Sequence, residues 1–151
     1  MTSSLVGSEM CIRDRFKVIF GLFSKEDKLV ALDSLNKVGI LDKAYIRADQ
    51  LSGGQQQRVS LARALSQESE ILLADEPVSA LDPVTAKEVM DDFKRINEEF
   101  NKTILLNIHH VELALEYASR IIAVKKGKIV YDGPSQEVTK EILDEVYRKE
   151  A

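Results

Sequence analysis

The chain has one cysteine, no excess of positive charge and no long apolar run, and each of these absences excludes a class of protein. The single cysteine, Cys11, excludes an internal disulfide and any metal site built from cysteines alone. Acidic side chains (25) outnumber basic ones (21), which argues against a general nucleic-acid binder with a basic face. No apolar run approaches the roughly 18 residues of a membrane span. The composition therefore indicates a cytosolic globular protein, and 151 residues are enough to bury a core.

The first fifteen residues, MTSSLVGSEMCIRDR, do not match the rest of the chain. They show neither the alternation of a strand nor a sustained helical stripe, and they lack the apolar stretch of a signal peptide. They resemble translated sequencing-adapter read-through. We therefore predict a non-native or disordered tail over residues 1–15 and a folded domain over residues 16–151. A genuine flexible tail is the alternative.

Helical and strand patterns alternate from Lys25 onward. Ser24 is a plausible N-cap for a first helix that carries leucines at three-residue spacing (29, 32 and 35) and stops at Gly39. Further helices are predicted after Gly54, from Pro83, and over residues 111–118 and 139–148. Buried strands are predicted at ILLAD (71–75) and TILLNI (103–108), and a hairpin at 121–124 and 128–133. This alternation predicts an α/β domain with a mainly parallel sheet.

The stretch LSGGQQQRVSLARAL, residues 51–65, places two glycines directly before a helix. The first turn of a helix has free N–H groups and the positive end of the dipole, and glycines let a ligand approach the backbone closely. Ser52 adds a hydroxyl donor. An anion such as phosphate suits this helix start, although a Ser-Gly-Gly turn before a helix is most often only a cap.

The stretch ILLADEP, residues 71–77, ends an apolar strand in two acids. Asp75, at the carboxyl end of the strand, is placed to hold a divalent metal directly or through water. Glu76 can accept a proton from an attacking water. The alternative is a strand that simply ends in solvated acids. His109 ends the next strand, where an imidazole can donate to phosphate, but His110 beside it leaves that assignment open on chemical grounds.

The order of these elements resembles the nucleotide-binding domain of ABC transporters. LSGGQ, residues 51–55, resembles the family's signature stretch, and ILLADEP resembles its Walker B strand. SALD, residues 79–82, resembles the D-loop. His109 resembles the switch histidine, because the family pattern of strand, His, two residues and an acid fits His109 better than His110. The resemblance implies a P-loop NTPase-like fold, ATP and Mg²⁺ as cofactors, and ATP hydrolysis coupled to transport.

In this family two such domains pair head to tail and hold two ATP molecules between them. The resemblance implies that Ser52, Gly53 and Gly54 contact the γ-phosphate of the ATP held by the opposite subunit, with Gln55 nearby. The head-to-tail geometry comes from the resemblance alone.

The resemblance also assigns the acids and the histidine. Asp75 is expected to hold Mg²⁺ through water, and Glu76 to polarise the hydrolytic water. His109 is expected to contact the γ-phosphate. Asp82 is expected to act across the dimer interface.

The family's phosphate loop, Gly-x-x-x-x-Gly-Lys-Ser/Thr, is missing from these 151 residues. The only Gly-Lys pair, Gly127-Lys128, is followed by Ile129. We therefore expect a truncated domain, with a remnant of the helical subdomain over residues 16–65 and the remaining motifs over residues 66–151. We expect it to hydrolyse no ATP by itself and to aggregate through uncovered apolar surface.

The resemblance is strongest to ATPases of phosphonate importers, in KAYIRADQ before the signature stretch and in the closing EILDEVY. Those proteins usually carry glutamine where this chain has His110, and importers of amino acids and other small solutes share much of the pattern. The implied partners are a second ATPase subunit, membrane permease subunits and, indirectly, a solute-binding protein, at the cytoplasmic face of the membrane. The alternatives are a soluble ABC protein acting on DNA or ribosomes, and a non-catalytic remnant.

Overall fold

The computed structural model describes residues 23–148, and these divide into two compact units between Asn107 and Ile108. The predicted tail over residues 1–15 lies outside the described residues. The first unit contains α1 (Lys25–Lys37), α2 (Gly53–Leu65), β1 (Ile71–Asp75), α3 (Pro83–Phe100) and β2 (Thr103–Asn107), with 3₁₀ turns at Leu41–Lys43 and Ala48–Gln50. The second contains α4 (Val111–Tyr117), β3 (Arg120–Lys125), β4 (Lys128–Pro134), a 3₁₀ turn at Ser135–Glu137 and α5 (Lys140–Tyr147).

The helices begin and end where the sequence places capping residues. Ser24 and Asp27 form a reciprocal capping box at the start of α1, and Gly39 adopts a φ of +70° just after the helix. Asp82 is the N-cap of α3, with Pro83 as its first residue. Asn101 ends α3 in the left-handed conformation. The predicted first and third helices are thereby confirmed.

The core of the first unit forms where α2 and α3 turn their apolar faces inward. Along α3 the buried side chains recur at three- and four-residue spacing, as in an amphipathic helix. The buried apolar residues of the two helices are Leu61, Ala62, Ala64, Leu65, Ala86, Val89, Met90, Phe93 and Ile96. The face predicted for α1 is less buried, since Leu29 is 65% exposed.

The two strands of the first unit pair in parallel, with Leu73 opposite Leu105 and Asp75 opposite Asn107. This confirms the predicted parallel orientation of these strands. Side chains alternate between the two faces of a strand, and Leu72, on one face of β1, is buried. On the other face Ile71, Leu73 and Leu105 are each more than half exposed. The prediction that both strands are buried is therefore wrong for this face among the described residues.

The second unit is built around the predicted hairpin. Strands β3 and β4 are antiparallel and joined at Lys126-Gly127, where both residues have positive φ, as a type I′ turn requires. A register irregularity lies between Ala123 and Val124. The contacts divide the chain after Asn107, whereas the sequence predicts a subdomain boundary at residue 65, and that boundary stays a prediction. No helix within residues 23–148 is long and apolar enough to cross a membrane.

Candidate functional site

The start of α2 is a capping box made by Ser52 and Gln55. The Gln55 N–H donates to the Ser52 hydroxyl oxygen over 3.3 Å, and the Ser52 N–H donates to the Gln55 side-chain oxygen over 3.1 Å. The box uses these two amides and does not use those of Gly53 and Gly54, which lie at the positive end of the helix dipole. A hydroxyl that accepts one hydrogen bond still has its own proton to donate. Ser52 and the two glycines therefore retain donors that suit an anion.

The two glycines differ in their surroundings. Gly53 is exposed, and a Cβ added there would lie 3.1 Å from Cδ2 of Leu81. Gly54 is buried, and a Cβ added there would lie 2.5 Å from Cγ2 of Thr85. Both glycines were predicted to serve the close approach of a ligand. The structure adds an intramolecular reason for Gly54, which is close packing of α2 on the start of α3.

Asp75 is held at the end of β1 by the neighbouring strand. The side-chain amide of Asn107 donates to Asp75 Oδ1 over 2.7 Å, because the register places the two residues opposite each other. Asn107 was not predicted. Its signal in the sequence is that both five-residue strands end in a polar residue, and the carboxyl ends of parallel strands meet at one edge of the sheet.

Asp75 could bind a divalent metal only if other ligands, from outside the described residues, completed the coordination. No group of three or more His, Cys, Asp or Glu side chains is arranged for a metal within residues 23–148. Mg²⁺ is commonly bound through one or two carboxylates plus substrate phosphates and water. One anchored carboxylate is thus consistent with a metal shared with a nucleotide.

Glu76 sits at a sharp reversal of the chain directly after β1. Its φ of +47° is in the left-handed region, which non-glycine residues seldom adopt. The Glu76 N–H donates to the Asn107 carbonyl over 2.9 Å. The Glu76 carbonyl accepts from both the N–H and the hydroxyl of Ser79, over 3.3 and 3.1 Å. Val78, in the same turn, is 1% exposed, so the turn is anchored from both sides. Such strained backbone is frequent at functional sites.

Asp82 caps α3 by accepting from the N–H groups of Val84 and Thr85, over 3.1 and 3.0 Å. Hydrogen bonding from Thr85, by side chain and backbone, holds the pKa of Asp82 below its ordinary value. The carboxylate therefore stays charged at neutral pH. Its expected action across a dimer interface stays a prediction.

A polar network that was not predicted joins three helices of the first unit. Arg58 Nε, on α2, donates to Asp92 Oδ2 on α3 over 2.5 Å, and Arg95 donates to Asp92 Oδ1 over 3.0 Å. Arg95 also donates to the Lys37 carbonyl at the end of α1, over 2.7 Å. Asp92 is 8% exposed. A charged residue on the buried side of α3, directly before Phe93, is the sequence signal for this network.

His109 belongs to the second unit, between β2 and α4, and is exposed. His110 occupies the N-cap position of α4 without a side-chain capping bond. The assignment of His109 as the phosphate-contacting histidine stays a prediction. Within the first unit, the structure brings the start of α2 together with Leu81 and Thr85, and it brings Asp75 and Glu76 together with Asn107.

Comparison with known protein families and structures gives a consistent result. The family described as "ABC transporter" matches residues 4–79. The match begins inside residues 1–15, which were predicted to be a non-native or disordered tail, so the boundary at residue 15 stays a prediction. The chain is 98% identical over 135 residues to a Lactococcus lactis subsp. cremoris protein named "Phosphonates import ATP-binding protein PhnC". That alignment covers 89% of this chain and 55% of the relative, so the chain spans about half of the relative's length.

Two solved structures are similar in fold. One is a nucleotide-free ATP-binding cassette from an ABC transporter, with a TM-score of 0.80 and 22% identity over 94% of this chain and 58% of the other. The second is a dimeric ATP-binding cassette in a post-hydrolysis state bound to ADP and Pi. It is 37% identical with a TM-score of 0.62, over 78% of this chain and 53% of the other. The fold of the chain is that of part of an ATP-binding cassette.

Proposed function

Because the chain belongs to the ABC transporter family, we propose that it works in the ATP-hydrolysing subunit of an importer whose solute is a phosphonate or a related organophosphorus anion. The observation that carries the proposal is the 98% identity over 135 residues with a protein named as a phosphonate import ATP-binding protein. The proposed place of action is the cytoplasmic face of the membrane, against permease subunits. An importer of amino acids or other small solutes is the alternative for the solute.

The proposed site is shared between two subunits. The similar cassette bound to ADP and Pi is itself dimeric, which supports this arrangement. The Ser52 hydroxyl and the amides of Gly53 and Gly54 donate to oxygens of the γ-phosphate held by the second subunit. Gln55, which fixes the turn through its capping bonds, keeps these donors aligned. Donors that are already oriented stabilise charge in the transition state without reorganisation.

The proposed hydrolytic chemistry lies at the end of β1. Asp75, anchored by Asn107, would hold Mg²⁺ through water, and the bound ion would supply positive charge for the nucleotide phosphates. Glu76 accepts the proton of the attacking water, and its backbone is fixed for this by the turn to Ser79. His109 donates a hydrogen bond to the γ-phosphate. Asp82 acts across the subunit interface.

The proposal is tested with a chimera in which residues 16–148 replace the aligned segment of the Lactococcus lactis relative. The chimera is expressed in a strain that lacks the relative, and uptake of a radiolabelled alkylphosphonate is measured beside uptake of an amino acid. We expect phosphonate uptake, and a fall of roughly 10²–10⁴-fold in ATP hydrolysis on Glu76→Gln, as for removal of a general base. Amino-acid uptake in place of phosphonate uptake would contradict the solute. Full hydrolysis by the Glu76→Gln chimera would contradict the catalytic assignment.

We also propose that a polypeptide of these 151 residues hydrolyses no ATP by itself, since its sequence contains no Gly-x-x-x-x-Gly-Lys-Ser/Thr loop to hold a triphosphate. The measurement is steady-state phosphate release by the purified chain. Release above background that disappears in the Glu76→Gln variant would refute this.

A further inference from the structure

The lack of a side chain at Gly54 has a cause inside the chain. A Cβ placed on Gly54 would meet Cγ2 of Thr85 at 2.5 Å, a separation that real Cβ atoms do not show. At Gly53 the nearest atom is Cδ2 of Leu81 at 3.1 Å. The end of a leucine side chain can shift by a few tenths of an ångström. A threonine methyl is attached directly to the β-carbon and is stiff about χ1. The two glycines are therefore not equivalent.

Thr85 is held in place by hydrogen bonds at the start of its own helix, α3. It lies in the first turn of α3, and its N–H donates to Asp82 Oδ1 over 3.0 Å. The α3 backbone continues this anchoring, because Ala86 N–H donates to the Asp82 carbonyl over 2.8 Å and Ala86 is buried. The methyl of Thr85 is thus presented to Gly54 by a fixed helix start.

The helix that carries Gly54 is also prevented from moving away. One turn after Gly54, Arg58 on α2 is joined to Asp92 on α3 over 2.5 Å. The two helices are therefore fastened at two points, by the glycine–threonine contact at their starts and by the ion pair farther along. A side chain added at position 54 would therefore clash with Thr85. Thr85 cannot easily rotate away from it, and α2 cannot easily move away from α3.

We propose that Thr85 is a positioning residue for the signature stretch, and that residue 54 is glycine because the Thr85 methyl occupies the space of a side chain there. Thr85 touches no nucleotide in this scheme. It sets the orientation of the first turn of α2, so that the D-loop, through Asp82, and the signature stretch move as one body. The claim that Thr85 packs against residue 54 depends only on the geometry. The claim that this packing affects ATP hydrolysis rests on the proposed function.

The packing is tested by a double-mutant cycle in the 151-residue chain, with urea unfolding followed by circular dichroism. Thr85→Ser removes the methyl and keeps the hydroxyl, whereas Thr85→Val keeps the methyl and removes the hydroxyl. We expect Gly54→Ala to lower the urea midpoint strongly and Gly53→Ala to lower it little. Thr85→Ser is expected to recover more than half of the midpoint that Gly54→Ala loses, and Thr85→Val to recover none.

Two results would overturn the packing claim: a Gly54→Ala/Thr85→Ser double variant no more stable than Gly54→Ala, or equal recovery by Thr85→Ser and Thr85→Val. If Gly54→Ala does not fold, the soluble yield of the double variant against that of the single one gives the same answer. A folded double variant supports the claim, and an unfolded one contradicts it.

The functional part is tested in the chimera with the same variants, by measuring kcat and KM for ATP. We expect Gly54→Ala to lower kcat at least tenfold and Thr85→Ser to restore most of it. If stability is recovered and kcat is not, the space at residue 54 is required by the nucleotide and the positioning role is wrong. If the unsubstituted chimera hydrolyses no ATP, the proposed function fails while the unfolding cycle still decides the packing.

Discussion

The two compact units of the molecule differ in how many apolar side chains each one buries. All 14 buried hydrophobic side chains of the described residues lie in the first unit, from Val38 to Ile96. In the described part of the second unit, residues 108–148, only Ser135 is buried. Burial of apolar surface is the main stabilising contribution in folding, at about 25 cal/mol per Å². The first unit therefore has a core of its own.

The second unit has polar contacts that link its elements near the surface. Arg120 donates two hydrogen bonds to the Asp132 carboxylate, over 2.7 and 2.8 Å, across the hairpin. The Lys125 ammonium donates to the carbonyls of Glu145 and Arg148 at the end of α5. Exposed pairs of this kind contribute little individually. We therefore expect the first unit to determine the stability of the chain, and the second unit to unfold locally at a lower free energy.

The largest effect is expected from matched isoleucine truncations in the two units. Ile96, on α3, is 0% exposed, whereas Ile122, on β3, is 46% exposed. Ile96→Ala is expected to lower the free energy of unfolding by about 2–5 kcal/mol, because it leaves a cavity in the core. Ile122→Ala is expected to cost less than about 1 kcal/mol. Urea unfolding of both variants measures the difference, and equal costs would remove the contrast between the units.

An intermediate effect is expected from breaking the network around Asp92. Asp92→Ala leaves Arg58 and Arg95 without their shared partner, and we expect a loss of about 1–3 kcal/mol. This is less than for a fully buried ion pair, because the side chains of Arg58 and Arg95 are 25% and 39% exposed. The matched control is Asp33→Ala, which breaks an exposed ion pair with Lys37 on α1. A similar loss from both variants in urea unfolding would show that the network adds nothing beyond a surface pair.

The smallest effect is expected at the hairpin and depends on pH. Hydrogen bonds from Arg120 hold the pKa of Asp132 below its usual value. Because the folded pKa is lower than the unfolded one, about 3.9, this contribution is complete above the unfolded pKa and is lost as the pH falls through the folded pKa. Acidification below about pH 4 should therefore loosen the hairpin, and Asp132→Asn should remove that pH dependence.

The methyl NMR signals of Ile122 and Ile129 follow the hairpin, and those of Ile96 report on the core. A pH response of the hairpin signals that persists in Asp132→Asn would refute the assignment to this pair.

Local patterns in the sequence predicted most of the elements. Ser24 and Pro83 marked two helix starts, Gly39 marked a helix end, and Lys126-Gly127 marked the hairpin turn, because each of these residues has a local conformational or capping preference. The parallel orientation of the strands followed from the alternation of strands with helices, whereas the pairing of residues 71–75 with residues 103–107 became visible only in the structure. The prediction that both faces of these strands are buried was wrong, because the apolar pattern along one strand does not show which elements cover its faces.

Only the site residues that belong to recognisable motifs could be predicted from the sequence. Asp75, Glu76 and the signature stretch could be predicted as site residues because their residue types stand in a recognisable order, and their roles stay predictions. Asn107 and Thr85 were missed, since each acts on a residue more than thirty positions away along the chain. Local spacing in the sequence does not show that Asn107 contacts Asp75 or that Thr85 contacts Gly54.

By itself the sequence determined the family, the helix and strand boundaries to within one or two residues, and the chemistry available at the end of β1 and the start of α2. These follow from short-range preferences and from the kinds of groups present. The tertiary structure decided which groups meet: Asp75 with Asn107, Arg58 with Asp92, and Gly54 with Thr85. The reason is that close packing selects side chains by shape and distance in space. The glycine that reads as an opening for a ligand is, in the folded chain, also the place where a threonine methyl fits.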